Sequence, residues 1–92
     1  MIQHIVMWKF REDADPQEFL DRLAALEGQI ECIRSMHVRR SAVENGQFDA
    51  VLVAEFDTLA DVERDKNDPR HLAVSALCKT IRTDRCAIDI TL

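Results

Sequence analysis

The chain has 92 residues, which is enough for one domain with a single hydrophobic core. Its 47% hydrophobic and 32% charged residues are typical of a soluble globular protein, and its net charge of −5 argues against nucleic acid and anionic membranes as partners. The first residues lack the features of a secretory signal, and no segment approaches the roughly 20 apolar residues of a transmembrane helix, so we expect a cytoplasmic protein.

The chain has three cysteines, Cys32, Cys78 and Cys86. Their odd number does not suggest a disulfide framework, and they lack the paired C-x-x-C spacing of zinc sites. An unpaired cysteine usually packs as a small hydrophobic residue, so we expect reduced and mostly buried thiols. The sequence predicts no metal site and no cofactor.

A first strand is predicted over residues 2–10, where the alternating pattern is apolar on both faces. One face carries Ile2, His4, Val6, Trp8 and Phe10, and the other carries Ile5 and Met7. A first helix should follow, with Asp15 as its cap, Pro16 at its first position and Glu18 as capping-box partner. Gly28 indicates the end of an apolar helical repeat formed by Phe19, Leu20, Leu23, Leu26 and Ile30.

Two more strands are predicted over residues 33–41 and 48–56, joined by a turn at residues 44–47. Thr58 should begin a short helix, and Asp68-Pro69 a second one to about Ile81. After a predicted turn at residues 82–85, the last strand alternates through Cys86, Ile88, Ile90 and Leu92.

The order β-α-β-β-α-β predicts an α+β, ferredoxin-like fold, in which a four-stranded antiparallel sheet carries both helices on one face. The other face would be bare, although it would expose the apolar side chains of Ile5, Met7, Val51, Val53 and Ala87. An exposed apolar patch of this kind usually packs against another surface. The simplest partner is the same face of a second copy, so we expect a homodimer.

His71 is the first candidate for chemistry, since it lies in the first turn of a helix that Asp68 can cap and Pro69 can begin. The helix dipole disfavours a protonated imidazole at this position. A neutral imidazole can accept or donate one proton, which suits acid–base work on a small molecule.

Four segments, in chain order, match the pattern of one family: residues 4–10 (HIVMWKF), 56–61 (FDTLAD), 68–71 (DPRH) and 87–90 (AIDI). They resemble the HIVLFKF strand, the FESLEAL passage, the HPxH motif and the last strand of the stress-responsive α/β-barrel (Dabb) domain. The resemblance covers residues 1–92 as a single domain. It implies a homodimeric α/β barrel with a pocket between sheet and helices in each subunit.

The resemblance also implies a site in which the second histidine of HPxH is paired with a tyrosine, as in an aldol-type cyclase. Here that histidine is His71, whereas the tyrosine position reads Asp65 and the first histidine of the motif reads Asp68. The chain contains no tyrosine.

His4 shares a strand face with Trp8, so it should point towards the helices, and the resemblance places it near His71 in one cavity. One imidazole could then take a proton from a carbon acid while the other polarises its oxygen. Alternatively, both histidines only satisfy each other or a backbone carbonyl in a packed core. The candidate ligand pocket consists of Trp8, Phe19, Leu23, Leu52 and Leu77, residues that could equally be ordinary core.

Two charged sets have competing interpretations. An anion could bind to Arg34, Arg39, Arg40, Arg82 and Arg85, although these are predicted on an edge strand and a turn, where charges commonly prevent strand pairing. A solvated helix face is the interpretation favoured for Asp61, Glu63, Asp65 and Asp68.

Three functions follow as hypotheses. The first is a dimeric protein that holds a small apolar or polyketide-like molecule in each pocket. The second is a cofactor-free enzyme, either an aldol-type cyclase or monooxygenase-like, that uses His71 with His4 as acid and base. The third is a purely structural or interaction dimer, which predicts no cavity beyond a water or two.

Overall fold

A four-stranded antiparallel sheet forms the centre of the structure, a computed structural model that describes residues 1–92. The elements in chain order are β1 (Ile2–Phe10), α1 (Gln17–Ala24), β2 (Ser35–Arg40), β3 (Ala50–Phe56), α2 (Leu59–Asn67), α3 (Pro69–Ile81) and β4 (Arg82–Thr91). The strands lie in the order β2-β3-β1-β4, and every neighbouring pair is antiparallel. The predicted α+β, ferredoxin-like fold is confirmed, with its second helical segment divided into α2 and α3.

The inner face of the sheet, which the helices cover, holds the hydrophobic core. The register between β1 and β3 pairs His4 with Ala54 and Val6 with Leu52, and all four residues are buried. The helix residues buried against this face are Phe19, Leu20 and Leu23 of α1, Val62 of α2, and Val74 and Cys78 of α3. Burying a large apolar side chain contributes about 1.5–3 kcal/mol, so this face holds helices and sheet together.

The outer face of the sheet has no helix over it. Ile5 pairs with Val53 and Met7 with Val51, and these four residues are half-buried on the side that the alternation predicts. Ile88 lies next to Ile5 and is 58% exposed. A single chain therefore presents an apolar strip to its surroundings.

The expected position of Ala87 on this outer face is wrong. The register between β1 and β4 pairs Ala87 with Val6, and directly opposed residues point to the same side of a sheet. Ala87 consequently lies on the inner side, beyond the area that the helices cover, and is exposed. Cys86, opposite Met7, takes the outer position instead.

All three cysteines are free thiols. Cys78 is buried and Cys32 is half-buried, as expected. Cys86 is exposed, because β4 is an edge strand whose outer side carries no cover, so the expectation of a buried thiol is wrong there.

Residues 82–85 begin β4 and do not form the predicted turn. The chain becomes extended at Arg82, with φ −89° and ψ 149°. Arg82 then lies opposite Phe10, and Arg85 lies opposite Trp8. Since pairing with β1 satisfies the backbone groups of this polar segment, it continues the strand.

Helix α1 is shorter than its apolar repeat predicts, because it ends at Ala24. Asp15 accepts a hydrogen bond from the Gln17 amide at 3.0 Å, while Pro16 stands just before the helix and no capping bond from Glu18 is formed. Gly28 has a φ of +90° and turns the chain towards β2.

The predicted starts of α2 and α3 are both present. The Thr58 hydroxyl accepts from the Asp61 amide at 3.2 Å, which caps α2. Asp68 accepts from the Arg70 amide at 2.9 Å, and Pro69 is the first residue of α3. No helix in the structure is long and apolar enough to cross a membrane.

Candidate functional site

A cavity of about 320 Å³ lies between the inner face of the sheet and helices α1 and α3. Its apolar lining includes Val6, Trp8, Phe19, Leu23 and Leu52. The rings of Trp8 and Phe19 meet edge to face, with centroids 5.2 Å apart, and this contact fixes one wall. The core side chains therefore do not fill this space.

Leu77 does not line this cavity, contrary to expectation. It is half-buried and packs against the hydrophobic core. Helix α3 instead presents His71, Val74 and Cys78 to the cavity. These residues recur at spacings of three and four, so they share one helix face.

His4 reaches the cavity from the middle of β1 and is almost fully buried. Its Nδ1 lies 2.6 Å from Oδ1 of Asp89, the residue directly opposite on β4, whose side chain is 29% exposed. When Nδ1–H is donated to a carboxylate, Nε2 is left as the free acceptor of the ring. Asp89 thereby fixes the orientation of the His4 ring.

Asp89 was not identified from the sequence. Its partner lies 85 residues away in the chain, so only the register of β1 with β4 brings the two together. The alternating pattern of β4 places Asp89 on the same side as Ala87, but it gives no register.

His71 lines the same cavity from the first turn of α3, and its side chain is 23% exposed. Its Nδ1 is buried without a hydrogen-bond partner, and its Nε2 lies 3.8 Å from Oδ2 of Asp65, beyond hydrogen-bond distance. Burial lowers the pKa of His71 below its ordinary value of 6.5. The ring is therefore neutral around pH 7, as the helix start predicts.

Asp65 is buried, with only 4% of its surface exposed, so its assignment to a solvated helix face is wrong. It lies three residues after Val62 on the inward side of α2, and its Oδ1 has no hydrogen-bond partner. Burial and the nearby charge of Asp68 raise the pKa of Asp65 to about 6. This acid does not line the cavity but contacts His71.

The cationic residues of the lining are Lys66, Lys79, Arg82 and Arg85, and no carboxylate is among the lining residues. The five arginines considered for anion binding are therefore divided by the fold. Arg34 pairs with Asp57 next to β2, at the edge of the sheet opposite β4, and the other two arginines of the β2 region also lie outside the cavity. No group of three or more His, Cys, Asp or Glu residues is arranged to hold a metal ion.

Residues 2–92 match the family described as "Stress responsive A/B Barrel Domain". The chain belongs to this family. Among solved structures, a Dabb family protein with a ferredoxin-like fold from Mesorhizobium loti is 18% identical, with a TM-score of 0.82 over 99% of this chain and 95% of that one. The Dabb fold of this chain is thus shared along its whole length.

A dimeric protein of unknown function from Bacteroides fragilis, also ferredoxin-like, is 26% identical, with a TM-score of 0.87 over 99% of this chain and 95% of that one. A hydroxynitrile lyase from Passiflora edulis is 10% identical, with a TM-score of 0.86 over 99% and 92% of the two chains. At that identity the likeness to the lyase is one of fold. A comparison with curated proteins finds no match.

Proposed function

We propose that this Dabb-domain protein is a homodimer in which each subunit binds a small, largely apolar molecule in the cavity between sheet and helices. The observation that carries the proposal is the cavity itself. Its volume of about 320 Å³ lies within the range of small-molecule sites, roughly 300–1,000 Å³. A purely structural dimer needs room for no more than a water or two.

The outer face of the sheet supports the homodimer. Its half-buried residues Ile5, Met7, Val51 and Val53, together with exposed Ile88, form one apolar strip across three strands. A strip of this kind commonly marks an interface, and the same strip on a second copy is self-complementary. The relative from Bacteroides fragilis is described as dimeric.

Binding is tested by filling the cavity. Trp8 is the only tryptophan, so a ¹⁵N–¹H spectrum contains a single indole signal that reports on the cavity wall. Naphthamide, a neutral molecule with an apolar body, should shift this signal in the wild type. Ser75→Phe, which adds a ring at a cavity-lining position of α3, should abolish the shift.

Thr80→Phe is the matched control, because Thr80 is an exposed residue of the same helix outside the cavity lining. It should respond to naphthamide like the wild type. An indole signal that does not move with either naphthamide or the corresponding acid, naphthoate, in the wild type, or that shifts equally in Ser75→Phe, would contradict binding in this cavity.

A second candidate function is acid–base catalysis without a cofactor, which the arrangement of the two histidines favours. His4, oriented by Asp89, offers Nε2 as a base, and neutral His71 offers an N–H to an oxygen of the substrate. Such a pair suits an aldol-type reaction, run in either direction. In the cleavage direction His4 takes the proton of a β-hydroxyl, the adjacent C–C bond breaks, and the electron pair forms an enolate whose oxygen His71 stabilises. The enolate carbon then takes the proton back.

The catalytic proposal is tested with a naphthyl β-hydroxy ketone, whose cleavage releases a fluorescent naphthaldehyde and acetone. Because a positioned acid or base contributes about 10²-fold or more, His4→Asn and His71→Asn should each lower the cleavage rate by about that factor. His37→Asn is the control, since the third histidine is exposed on β2 and outside the cavity. Equal rates in all four proteins, or no cleavage above that in buffer, would exclude this chemistry.

A further inference from the structure

We infer that the molecule bound in the cavity is a carboxylic acid, with an aromatic or similarly compact apolar body and an anionic head held by Arg82, Arg85 and Lys79. The inference rests on the proposed binding function and specifies its ligand class. It comes from the way charge is distributed over the chain.

Most cations of this protein already have an anionic partner. The chain contains 12 lysines and arginines against 17 aspartates and glutamates. Seven of the 12 form ion pairs with a carboxylate: Lys9, Arg11, Arg34, Arg40, Arg64, Lys66 and Arg70. The remaining five are Arg22, Arg39, Lys79, Arg82 and Arg85, and three of these line the cavity.

The three unpaired cations lie at the cavity because of strand register and helix phase. Arg85 lies opposite Trp8 and Arg82 opposite Phe10. Both arginine side chains therefore leave the backbone on the inner face of the sheet, beside aromatic residues. Lys79 follows Ser75 by four residues on α3, and both line the cavity. The Arg82 side chain donates to the Cys78 sulfur at 4.0 Å and forms no ion pair with a carboxylate, so its charge is uncompensated.

A positive cluster in an acidic protein points to an anionic ligand. Like charges repel, and gathering them at one concave site concentrates a positive potential there. A guanidinium group binds a carboxylate through two parallel N–H bonds, which combine charge with fixed geometry. The wall formed by Val6, Phe19 and Leu52 then accommodates the apolar body of the same molecule.

Calorimetric titration with naphthoate and naphthamide tests this inference, because the two probes share one apolar body and differ in charge. Wild-type protein should bind naphthoate about tenfold more tightly than naphthamide. Arg85→Gln should weaken naphthoate alone and so reduce this preference, while Arg82 and Lys79 remain in place, and added salt should reduce it in the wild type. Arg85 is exposed, so its replacement leaves the core intact.

Arg22→Gln is the matched control, since Arg22 is also unpaired but is exposed on α1 outside the cavity. It should retain the wild-type preference. Equal affinities for the two probes, unchanged by Arg85→Gln, would overturn the anionic ligand and leave the binding function intact. Binding of neither probe would overturn both, and an equal loss of both probes in Arg85→Gln would overturn a charge-based role for Arg85.

Discussion

Asp65 is an acid that α2 carries into the interior beside His71. Its pKa of about 6 in the folded protein lies above the ordinary value of 3.8, so the folded state binds its proton more tightly than the unfolded state does. The contribution of Asp65 to stability therefore falls as the pH rises from about 4 through about 6, and it is constant above that. His71 acts in the opposite sense, because its lowered pKa means that stability is lost as the pH falls below 6.5.

Asp65→Asn should accordingly stabilise the protein at about pH 8, by about 2–3 kcal/mol, since the buried charge is removed. At about pH 4 the gain should disappear, because Asp65 is then protonated in the folded state. Urea unfolding at several pH values measures the difference. Glu63→Gln, at an exposed position of the same helix, should show no such pH dependence, and a gain from Asp65→Asn that is equal at both pH values would refute this account.

At the scale of elements, the connection from α1 to β2 depends on the left-handed backbone of Gly28. Its φ is +90°, and a Cβ atom placed there would meet nothing within 4 Å. Any cost of a side chain is therefore conformational rather than steric. Gly28→Ala should lower the free energy of unfolding by about 1–2 kcal/mol.

Gly28→Asn is the informative comparison, because asparagine tolerates left-handed backbone better than alanine does. It should lose less stability than Gly28→Ala in the same urea titration. If the larger side chain costs more than alanine does, crowding rather than backbone conformation limits this position.

The elements were predictable where their signals are local. Alternation over residues 2–10 gave both faces of β1, and Thr58 and Asp68 gave the starts of α2 and α3, since caps act within one turn. The face of β1, α1 or β3 on which each of these residues lies also follows from its local pattern.

Features that depend on distant pairing were not predictable. The register of β4 decides that Ala87 lies on the inner side, that Asp89 meets His4, and that residues 82–85 continue a strand. The burial of Asp65 depends on how α2 is rotated against the sheet, which a largely polar helix does not reveal. His4 and His71 were identified as candidates from the sequence, whereas the roles of the adjoining carboxylates, Asp89 and Asp65, were not.

At the scale of the molecule, the proposed homodimer depends on the outer face of the sheet. Val53→Lys would place a charge in the middle of the apolar strip and should separate the subunits, because burying an unpaired charge is strongly unfavourable. Light scattering coupled to size exclusion should then give the mass of one chain. Val43→Lys, at a 67% exposed valine outside the strands, should leave the mass of the dimer unchanged. A Val53→Lys protein that is still dimeric would place the interface elsewhere.

The proposed binding in the cavity would link the stability of this protein to the composition of its solution. Only the folded state contains the cavity, so by mass action an occupant at one hundred times its dissociation constant adds about 2.7 kcal/mol to the free energy of unfolding. If the proposed ligand binds, preparations that carry different occupants should differ in melting temperature. A library of carboxylic acids could then be ranked by thermal shift.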